Sequence, residues 1–251
     1  MLKSEIEKTL LENGIENPRF EAKELFNAFS GEDLKKAIER RLFGEPLQYI
    51  LGEWEFYSLP FIVGDGVLIP RPETELLVDL ALKEIRPYCK VIDLCSGSGA
   101  IAVAVAKNSN ATVYALEKYE KAISFLERNI ALNEVAVKII KEDLFNFSPT
   151  EKFDIIISNP PYIKTSVLDS LQKEVKHEPI TALDGGEDGL IFYRHIAGLK
   201  KHLNKGGKIM VEIGFDQSDA VQEIFQQNGL TTKAYKDLNG VQRVIIGTLP
   251  Y

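Results

Sequence analysis

Asn159, Pro160, Pro161 and Tyr162 stand in succession after Ile155-Ile156-Ile157-Ser158, an apolar run that reads as a buried strand. Two consecutive prolines fix φ and remove two donors, so the neighbouring carbonyls become acceptors with defined directions. The Asn159 side-chain oxygen and the Pro160 carbonyl can each accept one N–H of an amide or exocyclic amine. Such a nitrogen attacks poorly, because its lone pair is delocalised. Held between two acceptors, with Tyr162 stacked on its flat face, it can aim that lone pair at a sulfonium methyl for in-line displacement. Orientation of this kind supplies about 7–11 kcal/mol in favourable cases, with no metal and no covalent nucleophile. The segment therefore points to methyl transfer onto a planar nitrogen, with Asn159, Pro160, Pro161 and Tyr162 as the reacting-site residues.

A second constellation lies upstream. Val91-Ile92-Asp93-Leu94 reads as a strand, Cys95-Ser96-Gly97-Ser98-Gly99 as a turn and Ala100–Lys107 as a helix. Glycines let backbone approach a ligand, and a helix N-terminus offers unpaired N–H groups. Gly97-Ser98-Gly99-Ala100-Ile101-Ala102 fits the G-x-G-x-x-A form of a dinucleotide-binding turn. Glu117 ends the next strand, where an acid can accept both hydroxyls of an adenosine ribose. Asp143 follows the third strand, placed to accept from an adenine amino group while Leu144 packs on the ring. The turn alone does not separate a nicotinamide dinucleotide from S-adenosylmethionine. Asp93, inside the first strand, shifts the reading toward a methyltransferase that holds the charged amino-acid end of S-adenosylmethionine. The expected cofactor residues are Asp93, Cys95, Ser96, Gly97, Ser98, Gly99, Glu117, Asp143, Leu144 and Asn159.

These groups need a sheet to position them. From Lys90 onward, strands alternate with helices: strands at 91–94, 112–116, 137–140, 153–157 and 207–213, helices at 100–107, 120–132, 189–203 and 217–227. That alternation predicts a mostly parallel α/β sheet covered on both faces. Strands at 231–236 and 242–248 close the chain as a hairpin that inserts one antiparallel strand. The first forty residues read as three short amphipathic helices. Leu2, Ile6, Leu10 and Leu11 mark one face, Phe20, Leu25, Phe26 and Phe29 the next, and Leu34, Ile38 and Leu42 the third. Between these halves, Trp54, Phe56, Leu59, Phe61, Val63, Val67 and Ile69 favour strands, with Gly64-Asp65-Gly66 as the tight turn. Leu168, Leu171 and Val175 suggest a short amphipathic lid over the site.

Composition narrows the alternatives. The 251 residues carry a net charge of −7, a field that repels a nucleic-acid backbone, so no direct nucleic-acid substrate is expected. Two cysteines make no disulfide framework, and the start MLKSEIEKTL lacks the apolar core of a signal peptide, so a soluble, cytoplasmic protein without a membrane partner is expected. His177, His195 and His202 do not stand at metal-ligand spacing, and no metal is expected. Asp184-Gly185-Gly186-Glu187-Asp188 lacks the alternating ligands of a calcium loop and reads as a turn before a helix.

Taken with their neighbours, these motifs resemble the peptide chain release factor glutamine methyltransferases, the HemK/PrmC family. The likeness runs over nearly the whole chain. It is carried by Glu45-Pro46-Leu47-Gln48-Tyr49-Ile50-Leu51-Gly52, Phe56-Tyr57, Ile69-Pro70-Arg71-Pro72-Glu73-Thr74-Glu75 and Asn159–Tyr162. His177-Glu178-Pro179, Ala182–Gly189 and Asp237-Leu238-Asn239-Gly240-Val241-Gln242-Arg243 complete it. Cys95 stands where the family often has glycine, and Glu117 where it often has aspartate. The resemblance implies S-adenosylmethionine as donor and N5-methylation of the glutamine in the Gly-Gly-Gln motif of class I release factors. It implies a helical N-terminal domain that helps hold the protein substrate. The expected organisation is a helical substrate-docking domain over residues 1–44, a β-hairpin linker over 45–70 and a Rossmann-like methyltransferase domain over 71–251, in a monomer. Three rivals remain open: an adenine methyltransferase of nucleic acid, which shares Asn-Pro-Pro-Tyr; a release-factor-binding module without turnover; and a nicotinamide-dependent oxidoreductase.

Overall fold

A computed structural model describes residues 2–251. Three helices lead: α1 (Lys3–Glu12), α2 (Pro18–Ala28) and α3 (Gly31–Leu42), followed by the short α4 (Leu47–Leu51). Ile6, Leu10, Ala22, Leu25, Leu34, Ala37, Ile38, Leu47 and Ile50 form their common core. The expected faces hold in part. Leu2, Leu11, Phe20 and Phe26 are exposed, because so small a bundle closes around one narrow seam and leaves the flanks of each stripe outside.

The expected tight turn is misplaced. The hairpin pairs β1 (Glu53–Phe56) with β2 (Leu59–Ile62) around Tyr57 and Ser58, not around Gly64-Asp65-Gly66. Both turn residues take positive φ, +54° and +57°, the mirror-image geometry that suits the twist of a two-residue hairpin. Glycine is the usual occupant of such positions. Here α5 (Glu75–Glu84) holds the turn instead: Glu75 Oε1 accepts the Tyr57 N–H at 2.8 Å, and the Tyr57 hydroxyl donates to Asp79 Oδ1 at 2.6 Å.

Residues 53–69 do more than connect. Phe56, Phe61, Val63, Val67 and Ile69 join α5, α6 (Ala100–Lys107) and α7 (Glu120–Leu132) in the apolar layer on one face of the main sheet. Burying each phenylalanine is worth about 1.5–3 kcal/mol. Asn129 on α7 fastens the hairpin through Ile62, accepting its N–H at 2.7 Å and donating to its carbonyl at 3.0 Å.

The sheet has seven strands: β3 (Lys90–Leu94), β4 (Thr112–Glu117), β5 (Val137–Lys141), β6 (Phe153–Ser158), β7 (Leu203–Glu212), β8 (Thr231–Lys236) and β9 (Gln242–Thr248). Their spatial order is β5-β4-β3-β6-β7-β9-β8. The first five pair in parallel, and β9 lies antiparallel between β7 and β8, as the closing hairpin predicts. α8 (Ile191–Gly198) and α9 (Ser218–Gln227) cover the second face through Tyr193, Ile196, Val221 and Phe225. This is the expected Rossmann-like α/β sheet. Its order reverses between β3 and β6, and the crevice beyond their carboxyl ends is where such sheets bind ligands.

The segment read as a lid helix is not one helix. It forms 3-10 turns at Thr165–Ser170 and Val175–His177, with none of their residues buried. Two ion pairs fasten it elsewhere. Arg41, buried on α3, binds Glu21 at 2.5 Å and Glu174 at 2.5 Å, and Arg71 binds Glu178. Among the described residues, no helix is long and apolar enough to cross a membrane.

Candidate active site

The carboxyl ends of β3 and β6 meet where Leu94 pairs with Ser158, and the Ser158 hydroxyl donates to the Leu94 carbonyl at 2.7 Å. A cleft opens there. Cys95, Gly97, Glu117, Asp143, Leu144, Asn159 and Pro161 line it, so the two constellations found in the sequence share one cavity. Asp93, Ser96, Ser98, Gly99, Pro160 and Tyr162 belong to the same two segments and are not among the residues that line it.

The glycine turn divides its labour. Gly97 has φ +55° and open space where a Cβ would stand, as a backbone that must approach a ligand requires. Gly99 has φ +84° and gives up its Cβ to the side chain of Leu126 on α7, so it serves packing. Cys95 also takes a positive φ of +57°, which accounts for glycine being the easier residue there. Burial pushes its thiol well above the ordinary range, so it stays protonated.

Glu117 supports the turn directly. One carboxylate oxygen accepts the Gly97 N–H at 2.9 Å, and the other accepts the N–H groups of Lys118 at 2.8 Å and Tyr119 at 2.9 Å. A carboxylate has about four lone-pair directions, so about one remains for a ligand hydroxyl. The expectation that Glu117 takes both ribose hydroxyls is therefore narrowed to one clear bond. Asp143 accepts from Lys118 Nζ at 2.8 Å and from the Phe145 N–H at 3.0 Å, which hold its carboxyl below its usual range. Leu144 is buried beside it, and Phe145 packs on Phe192, whose ring also lines the cleft.

Asp93 is buried on β3. Its Oδ2 accepts the Ala102 N–H at 3.2 Å, in the first turn of α6, and its Oδ1 has no hydrogen-bond partner. It fastens the helix beneath the glycine turn. Burial pushes Asp93 up to about 7 from 3.8. The folded chain then holds this proton more tightly than the unfolded one, so stability falls as pH rises between about 4 and 7 and levels off above that. Glu212, pushed up to about 7 by its own burial, adds a fall of the same sign. Asp93→Asn should therefore lose less melting temperature than the parent between about pH 5 and pH 8 in thermal scans. Equal losses would remove Asp93 from this account.

The tetrapeptide is held rigidly. Pro160 and Pro161 are buried. Gln217 Nε2 donates to the Tyr162 carbonyl at 3.0 Å and to the Gly189 carbonyl at 3.2 Å, while Gln217 Oε1 accepts the Gly214 N–H at 2.9 Å. Gly185 runs so close behind that a Cβ there would meet the Tyr162 Cα at 2.7 Å. The Ile163 N–H bonds the Leu183 carbonyl, and the Gly185 N–H bonds the Ile163 carbonyl, which zips the loop to residues 183–185. The Asp184–Asp188 segment is the turn it reads as. Burial raises the Tyr162 hydroxyl to about 12, so the ring is a neutral phenol.

Sequence reasoning missed several cleft residues. Gly66, Val67 and Leu68 come from the stretch treated as a linker, and Tyr119, Phe145 and Phe192 carry no motif of their own. Pro179 and Ala182 belong to family-like blocks and Thr181 to none, and their approach to the cleft depends on the Glu178 contacts to Arg71 and the Ile69 N–H. Among the described residues, no group of three or more His, Cys, Asp or Glu could hold a metal ion.

A sheet of this order with a glycine turn and an acid at the end of β4 defines a methyltransferase domain, and the methyltransferase small domain profile matches residues 72–195. A methyltransferase from Pyrococcus furiosus shares the fold at a TM-score of 0.61 and 20% identity, over 86% of this chain and 100% of that one. Whole-chain relatives are more specific. The release factor glutamine methyltransferase of Thermodesulfovibrio yellowstonii is 45% identical, covering 85% of this chain and 80% of the relative. That of Geobacter sulfurreducens is 40% identical, covering 96% and 93%. The chain belongs to the release factor glutamine methyltransferase family.

Proposed function

We propose that the protein transfers a methyl group from S-adenosylmethionine to the side-chain amide nitrogen of the glutamine in the Gly-Gly-Gln motif of class I release factors. The observation that carries the reading is the presence of Asn159 and Pro161 in the same cleft as Gly97 and Glu117. That proximity supports a planar-nitrogen clamp beside an adenosine-type site. Residues that fit the donor are a backbone approach at Gly97, a lone-pair direction left on Glu117 and an apolar wall at Leu144 and Phe192. S-adenosylmethionine, when bound, supplies an electrophilic methyl group on a positively charged sulfur.

The chain's own residues do the rest. Asn159 Oδ1 and the Pro160 carbonyl accept the two amide N–H bonds and turn the nitrogen lone pair toward the methyl. Tyr162, neutral and pinned by its backbone, covers the flat face of the amide. The buried prolines exclude water from the reacting nitrogen. Residues 1–44 form the proposed docking domain for the release factor, and the molecule works as a cytoplasmic monomer.

The test is incubation of the purified chain with labelled S-adenosylmethionine and a release factor, beside the same factor carrying Gln→Ala in its Gly-Gly-Gln motif, with DNA as a parallel acceptor. Label on the parent factor alone is the expected result. Label on DNA, or equal label on the Gln→Ala factor, overturns the reading.

A further inference from the structure

Asn159 serves an amide nitrogen only if its carbonyl oxygen, and not its amino group, faces the substrate. Two hydrogen bonds behind the cleft bear on that choice. Asn159 Nδ2 donates to Thr74 Oγ1 at 3.1 Å, and the Thr74 hydroxyl donates to Glu212 Oε2 at 2.6 Å. Thr74 and Glu212 are buried, 4% and 3% exposed, so water does not compete for these bonds. A hydroxyl has one proton. While Thr74 gives it to Glu212, Thr74 Oγ1 can only accept, and the Asn159 atom facing it must be the amino group.

We propose that Thr74 and Glu212 are positioning residues that set the direction of this hydrogen-bond chain and so turn the Asn159 carbonyl oxygen toward the substrate. The proposal rests on the function proposed above. It joins three segments far apart in sequence: the 3-10 turn at Pro72–Thr74, the end of β6 and the end of β7. Neither Thr74 nor Glu212 lines the cleft; both act through Asn159.

The chain can run the other way. If Glu212 gains a proton, its hydroxyl can donate to Thr74, and the Thr74 proton then turns to Asn159. The carboxamide must rotate to accept it, which brings Nδ2 toward the substrate, a donor facing donors. The groups around Glu212 are Thr74 and Glu73 on the 72–74 turn, Asn159 and Tyr162 after β6, Tyr193 on α8 and Arg243 on β9. Burial, with the Glu73 charge, outweighs the Thr74 and Asn159 bonds and the Arg243 charge and leaves Glu212 titrating at about 7. Methyl transfer should therefore rise with pH through that value.

The experiment is single-turnover methyl transfer to a release factor at saturating S-adenosylmethionine across about pH 5.5 to 9, with cofactor affinity measured by calorimetry. Thr74→Val keeps the shape and removes the hydroxyl. It should slow transfer about ten- to a hundredfold, the usual effect of losing a group that orients a contacting one, and change cofactor affinity less than about twofold. Thr74→Ser should restore the rate. Glu212→Gln, which does not titrate, should lose the rise near pH 7. Full activity in Thr74→Val overturns the proposal alone. So does a parallel loss of rate and affinity that serine fails to restore, which marks a merely structural role, and so does an unchanged pH profile in Glu212→Gln. A parent chain that methylates no glutamine overturns the functional reading and this proposal with it.

Discussion

Asn159→Ala should bind S-adenosylmethionine nearly as well as the parent and transfer its methyl group on the order of 10²–10³ times more slowly, the usual effect of removing one preorganised polar group from a reacting site. The reason lies in the division of the cleft. The turn at Gly97 is held by Glu117, on the side of the site away from β6. Asn159 contacts Thr74, at the opposite edge, and contributes little to that turn. Alanine leaves the proposed amide substrate with one acceptor where it needs two, so the lone pair is no longer aimed. Calorimetry with the donor and a single-turnover assay separate the two effects. A variant that loses donor affinity and yet turns over normally once loaded would contradict this assignment.

Glu117→Ala should do the reverse, with a loss of donor affinity of about 1.5–3 kcal/mol, as for a hydrogen bond to a charged group. By the usual conversion this is about ten- to a hundredfold or somewhat more in dissociation constant. Two causes act together. The variant loses the remaining lone-pair direction that a ribose hydroxyl would use. It also frees the N–H groups of Gly97, Lys118 and Tyr119, so the turn loosens. Glu117→Gln should recover little, since an amide keeps one oxygen for three N–H donors and turns its own donors toward them. Titration of both variants with S-adenosylmethionine decides the matter, and near-parental affinity in Glu117→Gln would show that charge and lone pairs at this position are idle.

The sheet was legible because its signals are local and repeated. Buried parallel strands must be almost wholly apolar, and β3, β4 and β6 follow that rule within a residue or two of the expected ends. The tetrapeptide and the glycine turn were legible for a related reason: few residue types can make those backbones. The misreadings share a cause as well. Gly64-Asp65-Gly66 has turn chemistry, yet Tyr57 and Ser58 make the turn, because Glu75 and Asp79, about twenty positions downstream, hold them there. The Leu168–Val175 stripe had helical spacing, but its fixed points are Arg41 and Arg71, which no periodicity reveals. Thr74 and Glu212 lie 138 positions apart and meet only in the folded chain.

The bracing of Tyr162 by Gln217 and Gly185 has a consequence for which acceptors the protein will accept. A loop tied down by its backbone before any substrate arrives has almost no reorganisation energy to spend, and equally little freedom to mould itself around a new side chain. Selection at the reacting atoms is then all-or-none, set by whether an acceptor amide can enter a fixed slot. Graded preference among proteins must come from surfaces remote from the slot, where affinity can change without disturbing the chemistry. If residues 1–44 dock the release factor as proposed, reshaping their helices is the way to retarget this scaffold, whereas widening the slot around Tyr162 trades away the rigidity on which the proposed rate depends.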